Sequence, residues 1–166
     1  MKIIKPHLIT DSMLVSSSVV ENDYPAWVSG TTYALGARVI RASVHKVFER
    51  LVAGAGTVAP EIDTTSPAVW LDVGPTERWA PFDDVVGTLA TGSSPLNYTL
   101  RTGFTDSLAL FELTGRYVDV VMKDATGGAV VYQKRIDLEV TDIETIFDWF
   151  FSELDVRSDI VITDLP

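Results

Sequence analysis

The sequence predicts a mainly β protein, in which a small aromatic-rich β module is followed by a β-sandwich or jelly roll with one short helix. Between positions 24 and 74, short apolar runs are cut repeatedly by Gly and Pro. Two later segments alternate strictly between apolar and polar residues, and only one segment shows helical spacing. Because a period of two residues is typical of strands buried on one face, strands should dominate the fold.

Length and composition favour two folded parts preceded by an arm. A chain of 166 residues can form one domain, or a small module joined to a domain of about 100 residues. Apolar residues make up 46% and charged residues 22%, which is typical of a folded chain. We favour the second arrangement and expect a strand or arm over 1–23, a small β module over 24–75 and a β-sandwich over 76–166.

Charge and cysteine content exclude several classes of function. The chain carries 13 Lys and Arg against 23 Asp and Glu, a net charge of -10, which repels nucleic acid and anionic membranes. It contains no Cys, so disulfides, thiolate zinc sites and cysteine nucleophiles are excluded. Its apolar runs fall short of the roughly 18 residues of a membrane-spanning helix. The N-terminal residues lack a signal-peptide core, so we expect synthesis in a cytoplasm and no membrane insertion.

The N-terminal region is predicted to be an arm of two short strands. One begins at Ile3 and Ile4, and the other covers 13–20, with a polar break at 10–12. Such an arm can pair with the edge of a sheet in another subunit. We therefore expect Ile3 and Ile4 to contact a partner.

A hairpin is predicted over 118–139. Val118, Val120 and Met122 alternate with polar residues, and residues 124–128 have the composition of a hairpin turn. The inward positions of the second strand are Val130, Tyr132, Ile136 and Leu138. A final strand over 158–163 alternates in the same way and should also be paired.

One helix is predicted over 143–154, introduced by a capping box at Thr141 and Glu144. Its apolar stripe is formed by Ile143, Ile146, Phe147, Phe150 and Leu154. We expect this stripe to lie on the sheet. Trp149 and Phe151 fall outside it and either widen the core contact, which is favoured, or form a patch for a neighbouring subunit.

The order of the aromatic residues in the small module is similar to that of a known class of module. Trp27, Tyr33, Gly36, Val39, Phe48 and Trp70 follow in an order that resembles the chitin- and cellulose-type carbohydrate-binding modules of polysaccharide hydrolases and phage tail proteins. Ala37 departs from the acidic residue usual after the glycine. The resemblance implies that Trp27, Tyr33 and Trp70 stack on sugar rings, which requires an exposed ring. The alternative is that they fill a small core, which we favour for Trp27 and Trp70, with Tyr33 as the ring most expected to be exposed.

A second resemblance covers the C-terminal half. The strings RWAPFD (78–83), SLALFELTG (107–115), YVDVVMKD (117–124) and DIVITDLP (159–166) look like a type of phage virion protein in which a galactose-binding-like sandwich follows a small aromatic module. This implies a structural component of a tailed-phage virion, at the tail tip, baseplate or fibre attachment, that forms a homo-oligomer and contacts other virion proteins. The alternative is a carbohydrate-binding module that recognises host cell-surface glycan.

Catalysis and bound cofactors are not expected. His7 and His45 have no metal spacing and no nucleophile context. The pairs Asp83 with Asp84 and Glu112 with Asp119 could be nominated as glycosidase carboxylates. Adjacent strand residues face opposite sides, however, and Asp119 lies on the predicted solvent face.

Two further motifs are interpreted as ordinary turns. Asp106 and Asp124 could bind calcium from loops, but ordinary turns are favoured because the sequence has no ladder of alternating aspartates. Gly54-Ala55-Gly56 lacks the Gly-Lys-Thr that follows in a phosphate-binding loop.

Overall fold

A computed structural model of the chain describes residues 4–83, 85, 87–92, 95–139, 145–151 and 156–166, with the backbone alone at 148 and 149. The protein is mainly β, as the sequence predicts, and its strands form small antiparallel sheets. The described residues divide into two compact units, one over 8–100 and one that combines 4–7 with residues from 101 onward. The division therefore falls after residue 100, whereas the sequence predicted boundaries after 23 and 75.

The first unit contains seven short strands. They are β1 (Leu14–Ser17), β2 (Thr31–Tyr33), β3 (Arg38–Arg41), β4 (Lys46–Arg50), β5 (Gly54–Gly56), β6 (Trp70–Pro75) and β7 (Tyr98–Leu100). The strands β3, β4 and β6 form a three-stranded antiparallel sheet, and β2 pairs with β5. Two single 3-10 turns cover Pro60–Ile62 and Ala80–Phe82.

One core cluster of the first unit lies on the three-stranded sheet. Val39 on β3 pairs with Phe48 on β4, and both are buried together with Trp70 on β6. Val and Phe suit strand positions of this kind, because branched and aromatic side chains pack well on a pleated surface. This small sheet is the frame on which the aromatic cluster described below is built.

The N-terminal segment pairs within its own chain. β1 is antiparallel to β7, with Leu14 opposite Leu100, so the second strand of the predicted arm is present. Residues 4–10 form no strand, and the prediction of a first strand is wrong for them. Ile3 lies outside the described residues and Ile4 is partly buried. β7 occupies one edge of β1, and the expectation that this segment contacts another subunit stays a prediction.

The second unit contains the predicted hairpin. Its elements are β8 (Leu108–Leu110), β9 (Tyr117–Lys123), β10 (Val130–Asp137), α1 (Ile146–Phe151) and β11 (Ile160–Ile162). The turn between β9 and β10 is closed by the Asp124 amide, which donates to the Ala129 carbonyl at 3.1 Å, and Gly127 adopts φ +75° there. Val130 was predicted to face inward but is exposed, because the register shifts between Val130 and Tyr132.

Two small sheets enclose the core of the second unit. The buried residues are Ile136, Leu138, Ile160 and Ile162, and partly buried side chains of β8 and β9 pack against them. β11 pairs with β8, as expected of the final strand, and β10 pairs with β9. Both pairs of strands therefore contribute to one shared core.

The helix is present where the structure describes it, over Ile146–Phe151, but its burial differs from the prediction. The predicted capping residues Thr141 and Glu144 lie outside the described part, as do Ile143 and Leu154 of the stripe. Ile146, Phe147 and Phe150 are exposed, so the expectation that the stripe lies on the sheet is wrong for these three residues. The described core consists of residues from the strands together with Leu138, which follows β10 and is 1% exposed, and none of its members lies on α1.

Candidate functional site

The three aromatic residues proposed to bind sugar come together in the first unit. Trp70 lies at the start of β6 and Tyr33 at the end of β2, and their ring centroids are 5.2 Å apart in an edge-to-face arrangement of 68°. Trp27 packs against the same cluster and is partly buried. The order of aromatic residues in the sequence therefore predicted a real cluster.

Each ring of this cluster is used for packing. The Tyr33 hydroxyl accepts a hydrogen bond from the Val28 amide at 2.8 Å and donates one to the Val28 carbonyl at 3.1 Å. Tyr33 is partly buried, like Trp27, and is less buried than Trp70. Trp70 is buried, and the guanidinium of Arg50 covers its ring at 4.7 Å. The arrangement resembles a small core more than an open platform for a sugar.

A charged pair covers Trp27. The guanidinium carbon of Arg41 lies 4.9 Å from the centre of the Trp27 ring, and Arg41 Nε donates to both carboxylate oxygens of Glu61 at 3.0 and 2.9 Å. Hydrogen bonding to this guanidinium lowers the pKa of Glu61 below its ordinary value. Because the pair is largely shielded from water, it fixes the loop that carries Glu61 against the sheet.

His45 forms a second polar cluster in the first unit. It ends the turn between β3 and β4 with φ +54°, and its ring stacks on Trp79 with 4.1 Å between centroids. Its Nδ1 lies 3.0 Å from Glu21 Oε1, within hydrogen-bond distance. Its Nε2 lies 3.1 Å from Asp11 Oδ1 without hydrogen-bond geometry, so the contact with Glu21 is the better formed.

The cluster around His45 joins distant parts of the chain. Thr76 is fully buried; its hydroxyl donates to Glu21 at 3.0 Å and its amide donates to the His45 carbonyl at 2.8 Å. The sequence treated His45 as isolated, because Glu21 and Thr76 lie far from it along the chain. Among the described residues, no group of three His, Asp or Glu side chains is placed to hold a metal ion. His45 therefore has a structural role, in which it connects the segments that carry Glu21 and Thr76 to the β3–β4 turn.

Two of the nominated glycosidase carboxylates, Asp83 and Asp119, are engaged in contacts with nearby groups. Asp83 Oδ1 accepts from the Thr88 hydroxyl at 2.5 Å and from the Val85 amide at 3.1 Å, which is the bonding of a turn. Asp84 lies outside the described residues. Asp119 is held by two hydrogen bonds from Arg135 at 2.7 and 2.6 Å, which lower the pKa of the carboxyl.

The loop residues weighed for calcium also take part in local contacts. Asp106 accepts from the Ser107 hydroxyl at 2.8 Å, and its carbonyl accepts from the Leu165 amide. The amide of Asp124 closes the β9–β10 turn. Both residues therefore have the bonding of ordinary turns.

A group of neighbouring exposed apolar side chains in the second unit lies on α1. Phe147 is 68% and Phe151 70% exposed, and their ring centroids are 4.6 Å apart. Of the tentative partner contacts, Phe151 is thus open to a partner, while the side chain of Trp149 lies outside the described part. Phe104 and Phe111 are also strongly exposed in this unit.

Exposed apolar residues are common throughout the described chain. Large hydrophobic side chains that are exposed outnumber buried hydrophobic ones about two to one. Single exposed hydrophobic residues are ordinary, but neighbouring exposed phenylalanines are not. The exposed phenylalanines of α1 therefore need a functional explanation, more than the polar clusters around His45 and Glu61 do.

Comparison with known proteins finds no matching family, no similar curated protein and no similar solved structure. Within the described residues, none of the helices has the length and apolar character needed to cross a membrane.

Proposed function

We propose that the chain is a structural component of a tailed-phage virion, at the tail tip, baseplate or fibre attachment, that acts through protein–protein contacts. The observation that carries the proposal is the exposed apolar surface, with Phe147 and Phe151 as its best-defined pair. Aromatic side chains exposed in this way mark surfaces that a partner covers. In a symmetric assembly, each copy buries such a surface against its neighbours.

The sequence resemblances support the choice of a virion among possible assemblies. The strings over 107–115 and 117–124 are similar to those of a phage virion protein, and in this chain they contain β8 and β9. The small aromatic module precedes them, as in that type of protein. Residues 24–75, the predicted small module, lie within a larger unit that ends at Leu100. The resemblance therefore concerns the order in which the two parts follow each other along the chain, and not where each part ends.

Recognition of glycan has less support as the main role. A sugar platform needs a flat ring with an open face, and Trp70 is buried beneath Arg50. Tyr33 uses its hydroxyl to hold Val28. These contacts favour a module whose rings maintain the fold, so that its outer surface can contact other proteins.

The proposal is tested on particles from the phage that encodes the chain. An antibody raised against the purified chain should decorate one end of the tail in immunogold electron microscopy, and the chain should be found in purified particles by mass spectrometry. A phage that lacks the gene should regain intact tails when the wild-type chain is supplied. Detection of the folded chain in the lysate but not in particles would overturn the proposal.

A further inference from the structure

Strand β9 of the second unit has one unpaired edge. Its seven residues, Tyr117–Lys123, pair with β10 on one side, and the two strands form a sheet of their own. Among the described residues, no backbone group outside β10 donates to or accepts from the backbone of β9. A strand of this length spans about 23 Å. Its free edge therefore presents a row of amide and carbonyl groups that another strand can use.

The free edge of β9 lacks the devices that keep strands from pairing with other chains. Its sequence contains no Pro or Gly, and its inward positions are Val118, Val120 and Met122, none of which is charged. The register irregularity of the hairpin lies between Val130 and Tyr132 of β10, next to the turn. By contrast, β8 and β11 have only three residues each. The edge of β9 is thus both long and unprotected.

The inward face of β9 is only half covered by its own unit. Val118 and Val120 pack against the buried core that contains Leu138, but both remain partly exposed, as does Met122. A strand added beside β9 would continue the sheet and cover these side chains. Because all three inward residues are apolar, the added strand needs apolar residues at its own inward positions. β9 of a second copy meets this requirement.

The outward face of β9 is self-complementary in charge. Asp119 and Lys123 lie on either side of Val121, which is 47% exposed. Lys123 is exposed and forms no ion pair with a described residue. Both oxygens of Asp119 accept from Arg135, and each keeps a lone pair for a second donor. In an antiparallel pair of β9 strands with a two-fold axis at Val121, Asp119 of each copy lies opposite Lys123 of the other.

We propose that two copies of the chain associate by antiparallel pairing of their β9 strands, with the two-fold axis at Val121. The proposal rests on the proposed role in protein–protein contact and names one partner, a second copy of the chain. The two hairpins then form one continuous sheet in the order β10–β9–β9–β10. Main-chain hydrogen bonds join the copies, Val120 lies opposite Met122 on the inward face, and the pairs of Asp119 with Lys123 set the register.

Disulfide formation locates the axis, because the chain contains no Cys of its own. Val121→Cys places two thiols opposite each other in the proposed dimer, within the distance that a disulfide spans. The control is Val131→Cys, at a similarly exposed position on the neighbouring strand. Its two thiols would lie about 14 Å apart or more, beyond the reach of a disulfide. Mild oxidation of the native chain should give at least tenfold more cross-linked dimer for Val121→Cys on a non-reducing gel.

A charge placed at the axis tests the dimer in solution. Val121→Lys brings two lysines opposite each other, so sedimentation equilibrium should show dimerisation weakened about tenfold. Val131→Lys changes the net charge equally and should alter dimerisation less than twofold. Amide hydrogen exchange at 117–123 of the wild-type chain should slow as its concentration rises, because pairing protects edge amides. Circular dichroism and the unfolding midpoint confirm that both variants fold.

Three results would overturn the proposal. A wild-type chain that stays monomeric at every accessible concentration would show that β9 does not pair with itself. Equal cross-linking of the two Cys variants would place the contact elsewhere. Tighter dimerisation of Val121→Lys would indicate an axis at Val120, which sets Val121 opposite Asp119, and would refute the stated register. Each is measured on the purified chain, whereas failure of the virion proposal is seen in particles, so the two failures are distinguishable.

Discussion

The guanidinium carbon of Arg50 lies 4.7 Å from the centre of the Trp70 ring, and both side chains are buried. Arg50 Nε donates to the Val52 carbonyl at 2.6 Å, and a terminal nitrogen donates to the Ala55 carbonyl at 3.4 Å. The planar cation therefore covers the ring and holds the loop that returns the chain into β5. A sugar-binding module could expose this Trp, whereas here its ring is covered by the Arg50 guanidinium.

The first prediction concerns this stacked pair. Arg50→Lys keeps the charge but loses the planar stack and the forked hydrogen bonds, so the free energy of unfolding should fall by about 2 kcal/mol. Urea unfolding followed by Trp fluorescence measures it. Arg38→Lys, on the exposed Arg38–Glu49 pair of the same sheet, should change stability by less than about 0.5 kcal/mol. Equal effects of the two substitutions would contradict the structural role of Arg50.

The second prediction concerns Gly56, which lies against the aromatic cluster. A Cβ at this position would lie 3.0 Å from Tyr33 Cε2 and 3.3 Å from Trp27 Nε1. Gly56→Ala should therefore destabilise the first unit by about 1–2 kcal/mol and alter Trp fluorescence. Ala55→Ser, at the exposed neighbouring position, is the control and should be nearly neutral. An unchanged midpoint for Gly56→Ala would show that the rings are loosely packed.

The third prediction concerns pH. Hydrogen bonds from Arg41 lower the pKa of Glu61 below its ordinary value of 4.5. A carboxyl with a depressed pKa stabilises the fold above its unfolded pKa, and this contribution is lost as pH falls through the folded pKa. The stability difference between wild type and Glu61→Gln should thus be largest near neutral pH and shrink below about pH 4.5. Thermal unfolding across this range measures it, and a constant difference would refute the linkage.

The fourth prediction concerns the exposed phenylalanines. Phe147→Ser with Phe151→Ser should leave the free energy of unfolding within about 0.5 kcal/mol, since neither ring is buried. The same variant should shift sedimentation profiles toward smaller species. Leu138→Ala, in the core, should instead cost about 2–4 kcal/mol. If the Phe variant unfolds like Leu138→Ala, these rings belong to a core and not to an interface.

Local patterns in the sequence predicted the parts of the fold that depend on neighbouring residues. Alternation at 118–122 and turn residues at 124–128 were enough for the β9–β10 hairpin, since strand period and turn chemistry are local. The aromatic order predicted the Trp27, Tyr33 and Trp70 cluster, and Trp70 is buried as favoured. The cover that Arg50 and Arg41 provide was not predicted, because their positions are set by tertiary packing.

Local sequence patterns could not predict contacts between residues that are far apart along the chain. The pairing of Leu14 with Leu100 and the contact of His45 with Glu21 join residues that are far apart in sequence. The helix was predicted, but its burial was not, because apolar spacing does not reveal whether a core or a partner covers a helix.

Hydroxyl-radical footprinting of the free chain and of purified particles measures whether neighbours cover the exposed phenylalanines. We expect Phe147 and Phe151 to react readily in the free chain and to be protected at least several-fold in particles, while the buried Trp70 reacts slowly in both. Phenylalanines that stay equally reactive in particles would contradict a protein whose exposed apolar surface is covered by its neighbours.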